Sequence, residues 1–312
     1  MINREIIRQK IVQIVYAYYE NEGKTVETAE KELFFSLTKA YDMYRQLLLL
    51  LPALNTIATR SVETQQARSN RLNDYAIIST KFIKNRFIAQ LEQNEELRDF
   101  RDNQKFLWLD EEDFLRKIYN RIQEQDFYID YMASKESSYE EDREIWRKIY
   151  RHLLCNNEEL DDILEDNSLY WNDDKVIVDT FVLKTIRRFD ESKGSKQELL
   201  PEFRSEEDQR FASQLFRTAL ENADYYRSLI SEQTQNWELS RLACMDLIIM
   251  QIALAEMFTF PEIPLSVTIN EYVELAKDYS TPKSGSYVNG ILDALGKRLS
   301  EEGLIVKNDN EN

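Results

Sequence analysis

Apolar residues recur every three or four positions along most of the chain, which is the period of an amphipathic α-helix. In residues 3–20 a single apolar stripe is formed by Ile7, Ile11, Ile14, Val15 and Tyr18. Asn3 stands where it can cap that helix. The same period predicts helices in the middle of the chain over 25–58, 61–98, 111–132, 139–154 and 176–189. In the last third it predicts helices over 205–228, 237–257, 266–279 and 287–299.

Composition supports an all-α fold class. Only 6 Gly and 5 Pro occur in 312 residues, about 3.5% against roughly 12% in average proteins. So few turn-forming residues argue against a β-sandwich, a Rossmann domain and a glycine-rich phosphate loop. Residues 190–201, which include Ser192, Gly194 and Ser195, form the best candidate linker.

The chemistry-bearing residues do not form a catalytic or metal-binding pattern. Cys155 and Cys244 are far apart and lack a CxxC context, and His152 is the only histidine. Acidic runs such as residues 110–113 suit helix N-termini. We therefore expect no enzyme activity, cofactor or metal. Residues 1–10 lack the apolar run of a signal peptide, so a cytoplasmic location is predicted.

Basic residues are concentrated in two zones, although the net charge is −17. The first zone comprises Arg4, Arg8 and Lys10 on the leading helix. The second includes Arg68, Arg71, Lys81, Lys84 and Arg86, with Phe82 and Phe87 between them. Cations neutralise phosphates and exposed aromatic rings stack on unpaired bases, so both zones are candidate RNA-binding surfaces. The structural alternative is a solvated helix face with its aromatic residues in the core.

The last third carries a more specific pattern. Residues 237–242 read WELSRL, residues 246–253 read DLIIMQIA, and Glu256 follows. Ile263-Pro264 then precedes VTINEYVELAK at residues 267–277 and SGSYVNGIL at residues 284–292. The order and spacing of these segments resemble the NusB family, and the helix containing Arg4, Arg8 and Tyr16 resembles the family's N-terminal helix.

This resemblance implies a NusB-like antiparallel helical bundle of two three-helix subdomains. It implies binding of boxA-type single-stranded RNA together with a ribosomal protein in its NusE role. The assembly would act on the RNA polymerase elongation complex and promote read-through in ribosomal RNA operons. By position, the RNA-binding residues would be Arg4, Arg8, Lys10, Lys283 and Tyr287. Tyr16 and Asp246 would lie on the protein-partner face.

The resemblance covers only the two ends of the chain. It divides the sequence into a first helix (1–21), a helical insertion of unknown role (22–199), a C-terminal NusB-like domain (200–306) and a polar tail (307–312). Gln251 stands where the family usually has Arg, and Glu5 makes the leading helix less basic. A helical protein-interaction adaptor without RNA binding is therefore the main alternative. An RNA methyltransferase is disfavoured because neither cysteine follows a proline. The apolar faces of the insertion also suggest a homodimer.

Overall fold

The computed structural model describes residues 1–21, 23–72, 77–104, 106–135, 138–171, 173–234 and 243–308. Regular structure in these ranges is helical, apart from an isolated parallel bridge between Ile2 and Phe203. The first seven helices are α1 (Arg4–Glu20), α2 (Val26–Leu72), α3 (Arg86–Gln93), α4 (Glu95–Asn103), α5 (Glu112–Gln123), α6 (Asp126–Ala133) and α7 (Tyr139–Ile149). The others are α8 (Glu158–Asn167), α9 (Lys175–Arg188), α10 (Glu206–Glu221), α11 (Ala223–Gln233), α12 (Cys244–Thr259), α13 (Leu265–Tyr279) and α14 (Ser284–Glu301). The all-α prediction is confirmed.

Local capping determines several helix starts. The Asn3 side chain accepts a hydrogen bond from the Ile6 amide at 3.0 Å, which fixes the start of α1 as the sequence predicts. Asn85 and Asn94 cap α3 and α4 in the same way. The polar stretch at residues 94–104 is therefore mostly a short helix.

Helix α2 is longer than the sequence pattern predicts. It continues for 47 residues, through Pro52, whereas the sequence predicts a helix that ends at residue 58. Proline removes one backbone hydrogen bond from a helix interior. The apolar run that precedes it, Leu47–Leu51, is buried, and packing of this run accounts for the tolerance of proline here. The predicted helix over 61–98 is instead divided, because α2 ends at Leu72 and α3 begins at Arg86.

The chain forms two compact units. Unit 1 contains Met1 and Thr38–Glu202, and unit 2 contains Ile2–Leu37 and Phe203–Asn312. In unit 1, the predicted linker at residues 190–201 is anchored, since Asn94 Nδ2 donates to the Gln197 carbonyl at 2.7 Å and Leu200 is buried. These units do not test the boundaries of the insertion, residues 22–199, which stay a prediction.

The core of unit 2 surrounds α12. This helix is buried along almost its whole described length and contacts α1, α10, α11, α13 and α14. The predicted central helix over 237–257 is thus present from Cys244 onward, and residues 237–242 lie outside the described residues. The predicted helix over 205–228 is two helices, α10 and α11. Helix α14 begins at Ser284, three residues earlier than predicted.

No helix among the described residues is both long enough and apolar enough to cross a membrane.

Candidate functional site

Arg8 lies in a buried ionic network at the centre of unit 2. Its Nε and Nη2 donate to the two carboxylate oxygens of Glu256 at 2.7 and 2.9 Å, and its Nη1 donates to Glu271 at 3.1 Å. Thr268 and Tyr272 also donate to Glu256. Burial would lower the pKa of Arg8, but the two carboxylates outweigh burial and raise it. The Arg8 side chain is 5% exposed, so the network fastens α1 to α12 and α13.

The other two cations of the first basic zone are also engaged. Lys10 is 1% exposed, and its Nζ donates to Gln13 Oε1 at 3.3 Å. Arg4 contacts Glu207 at 3.1 Å and Asp208 at 3.5 Å. The prediction that Arg8 and Lys10 contact phosphates is not supported, because both are buried. Arg4 is partly exposed but lies against acidic residues.

A second polar cluster forms where α13 meets α14. We call it the α13–α14 corner and define it as Lys277–Tyr287 together with Asp246. Ser284 Oγ donates to Asp246 Oδ2 at 3.0 Å, and the Thr281 amide donates to Ser284 Oγ at 3.1 Å. Asp246 Oδ1 is buried, and no hydrogen-bond partner is found for it among the described residues. Asp246 therefore acts from inside the corner, where it holds Ser284 at the start of α14.

The same corner carries cationic and aromatic side chains. Lys283 is exposed and Tyr287 is half-buried; burial and the charge of Asp246 raise the pKa of Tyr287. Lys277 lies on Gly285, where an added Cβ would be 2.8 Å from Lys277 Cγ. Only glycine permits this close approach. Sequence reasoning gave Lys277 no role, although it ends the family-like VTINEYVELAK segment.

Helix α1 reaches the corner through its middle, at Gln13, whose Nε2 donates to Tyr279 OH at 2.7 Å. Tyr16, one turn further along α1, has a side chain that is 39% exposed. Glu256, the partner of Arg8, is ten residues beyond Asp246 and so about 15 Å along α12. The structure therefore does not bring Arg8 together with Lys283 and Tyr287.

Gln251 has a well-defined structural role. It is fully buried and donates to the Ala219 carbonyl at 2.7 Å and to Tyr19 OH at 2.9 Å. Arg227 Nε donates to Gln251 Oε1 at 2.8 Å, and the Arg227 guanidinium lies 4.3 Å from the centre of the Tyr19 ring. A guanidinium is thus present beside Gln251, but it comes from α11.

The second basic zone, in unit 1, is only partly available. Phe82 and Phe87 are core residues, so the interpretation of them as stacking aromatics is wrong. Lys81 donates to the carbonyls of Tyr131 and Ser134. Arg86 forms ion pairs with Asp142 and Glu191. The exposed cations of the zone are Arg68, Arg71, Lys84 and Arg86, of which Arg86 is held in the ion pairs.

Within the described ranges, the His, Cys, Asp and Glu side chains form no group that could hold a metal ion. The arrangement in unit 2 suits binding through hydrogen bonds, charge and ring stacking. The protein is therefore helical, and its candidate functional site is a binding surface at the α13–α14 corner.

Comparison with known proteins identifies the family. Residues 180–297 match the model of the NusB family. The chain is 44% identical over 97 residues to the transcription antitermination protein NusB of Dictyoglomus thermophilum, covering 31% of this chain and 67% of the relative. It is 38% identical over 97 residues to the protein of that name from Salinibacter ruber, covering 31% of this chain and 61% of the relative.

A longer match is found in Geotalea daltonii, whose transcription antitermination protein NusB is 36% identical over 135 residues, 43% of this chain and 90% of the relative. The chain belongs to the NusB family. The solved structure of Thermotoga maritima NusB matches with 29% identity and a TM-score of 0.29, over 47% of this chain and 82% of that one. The remainder of the chain is additional to the NusB region.

Proposed function

We propose that this chain is a non-enzymatic transcription antitermination factor. It binds boxA-type single-stranded RNA together with a ribosomal protein in the NusE role. Through that assembly it acts on the RNA polymerase elongation complex in ribosomal RNA operons. Membership of the NusB family supports the proposal, since the matched relatives are named transcription antitermination proteins.

The observation that carries the RNA-binding part is the α13–α14 corner. Lys277 and Lys283 are exposed there and Tyr287 is half-buried, and the Lys277 ammonium is paired with the exposed Glu274 at 2.6 Å. The Tyr287 hydroxyl is buried, so packing holds the ring at its tip, and the exposed part of the ring offers a fixed face for stacking on an unpaired nucleobase. The two ammonium groups supply charge for the neighbouring phosphates.

Helix α1 makes a smaller contribution to RNA binding in this proposal than its basic residues suggest. Arg8 and Lys10 hold the helix in place and do not touch RNA. Arg4 is the one member of the first zone that a phosphate can reach, by displacing Glu207, whose side chain is 66% exposed. An exposed ion pair of this kind is weak and easily exchanged.

The protein-partner face lies beside the RNA surface. Asp246 is 6% exposed, so in this proposal it supports the face from within and does not itself touch the ribosomal protein. Tyr16 adds exposed aromatic surface on α1. Because the Asp246 carboxylate accepts from Ser284 at the start of α14, a ribosomal protein bound to this face would help to order the RNA-binding residues. The two partners should therefore bind cooperatively.

The test is a fluorescence-polarisation titration of labelled boxA-like RNA, with and without the ribosomal protein. Loss of one stacked base costs about 1–3 kcal/mol, so Tyr287→Ala should weaken RNA binding roughly fivefold to 150-fold. Lys297→Ala is the matched control, because Lys297 is an exposed lysine near the other end of the same helix. Equal affinities of Tyr287→Ala and Lys297→Ala for RNA would refute the proposed site.

The alternative function is a protein-interaction adaptor without RNA binding. The burial of Arg8 and Lys10 favours it, as does the net charge of −17. An adaptor would bind the ribosomal protein while showing no saturable, salt-dependent binding of the RNA. A homodimer remains a separate hypothesis, which sedimentation velocity over a range of protein concentrations tests.

A further inference from the structure

Unit 1 contains a cavity of about 560 Å³ that the proposed RNA site does not use. It lies between the middle of α2 and the segments α3–α5. Its floor is apolar and includes Leu49, Ala53, Ile57, Trp108 and Leu115, each of which is at most 8% exposed. We call it the α2–α5 groove. Its size and its apolar floor are typical of a site for a small organic molecule.

The rim of the groove is cationic. Arg60, Arg98 and Arg101 line it, against Glu92 and Glu112. In the part of the chain that the structure describes, the Arg98 side chain forms no ion pair. Arg101 contacts its exposed sequence neighbour Asp102 at 3.4 Å, and its charge also acts on the Glu92 carboxylate.

Arg60 and Arg101 each have a carboxylate neighbour at the rim, Glu112 and Glu92 respectively. The contact between Arg60 and Glu112 is 3.6 Å long, and Glu112 also accepts from Arg116 Nε at 3.0 Å. Arg98 and Arg101 are three residues apart on α4 and so lie on the same side of that helix. Burial raises the pKa of Glu92, and the charge of Arg101 offsets part of that rise.

We infer that the α2–α5 groove binds a small amphipathic anion, with an aliphatic or aromatic body and a single acidic head. The body fills the apolar floor, and the head accepts hydrogen bonds from Arg98 and Arg101. Guanidinium groups match the planar, bidentate geometry of a carboxylate and also suit a phosphate. A long polyanion such as RNA fits less well, because residues 61–200 carry 31 acidic groups against 22 basic ones.

The inference is independent of the proposed RNA function, and competition titrations with the full chain test it. The fluorescent probe is 1-anilinonaphthalene-8-sulfonate, which itself combines an aromatic body with one acidic head. Decanoate and decyl phosphate are the competitors, and decanol is the neutral competitor of equal chain length. We expect both anions to displace the probe and decanol to be at least tenfold weaker. The ranking of the two anions identifies the preferred head group.

Variants separate the groove from other apolar surfaces. Arg98→Gln with Arg101→Gln should weaken decanoate binding at least tenfold and leave RNA affinity unchanged. The matched control is Arg121→Gln with Arg151→Gln, which removes two exposed arginines that do not line the groove. Ala53→Phe fills the floor and should abolish displaceable probe binding.

Three results would overturn the inference. They are competition by decanol equal to that of decanoate, unchanged decanoate affinity in the Arg98 and Arg101 double variant, and an equal loss in the control. Circular dichroism melting curves of each variant establish that its fold is retained.

Discussion

Replacing Arg8 with Met distinguishes a structural arginine from one that binds RNA. In the structure, Arg8 makes two hydrogen bonds to Glu256, whose side chain is fully buried. The substitution keeps an apolar stem of similar length and removes the charge. Glu256 would then retain hydrogen bonds from Thr268 and Tyr272 but would have no cation opposite its charge.

The expected cost is large for a single substitution. Removing one member of a buried ion pair costs about 3–5 kcal/mol, because the remaining charge stays desolvated. Two hydrogen bonds to a charged group, at about 1.5–3 kcal/mol each, give a similar range. For a unit of this size the melting temperature should fall by about 10 °C or more. Replacing Arg8 with Met and Glu256 with Leu together should cost less than the sum of the single changes.

Urea unfolding followed by circular dichroism measures the cost, and RNA titration at a temperature where the variant is folded measures binding. Arg210→Met serves as the control, since Arg210 is exposed on α10 and should change stability by less than about 0.5 kcal/mol. The account predicts a large loss of stability for Arg8→Met with little change in RNA affinity. Unchanged stability combined with a tenfold loss of RNA affinity would refute it.

Three other experiments test separate parts of the account. Burial would raise the pKa of Glu30, but hydrogen bonds from Arg217 and Ser213 lower it below 4.5, so its stabilising effect is present above that pH and is lost on acidification. In urea melts, the free energy of unfolding should therefore fall less between about pH 5 and pH 3 for the Glu30→Gln variant than for the wild type. Gln251→Ala leaves the Tyr19 hydroxyl and the Arg227 guanidinium without their buried partner and should cost about 1–3 kcal/mol in the same melts. If the second basic zone binds RNA, neutralising its exposed cations should weaken RNA binding and make the affinity less dependent on salt concentration. An unchanged salt dependence would show that the zone does not bind RNA. The cations to neutralise are Arg68, Arg71 and Lys84, because Arg86, which is also exposed, is held in ion pairs with Asp142 and Glu191.

Much of the helical architecture could be predicted from the sequence because it depends on local signals. The cap at Asn3 defines the start of α1, and the apolar period defines α9 and α13 to within one residue. The continuity of α2 through Pro52 could not be predicted, since it depends on tertiary packing of the buried run that precedes the proline.

The candidate site was less predictable. A pattern shows that Arg8 lies on a helix, but its burial depends on Glu256, which is 248 residues away in the chain. For the same reason the Arg227 guanidinium beside Gln251 carries no local signature. Lys283 and Tyr287 are assigned through the family resemblance, and Lys277 joins them only once the close approach at Gly285 is known.

Photo-crosslinking tests the central claim most directly. BoxA-like RNA that contains 4-thiouridine would be irradiated with the full chain and the ribosomal protein, and the crosslinked peptides would be identified by mass spectrometry. The account predicts crosslinks within residues 277–287, with Tyr287 prominent, and none at Arg8 or Lys10. Crosslinks confined to unit 1, or found at Arg8 and absent from residues 277–287, would contradict it.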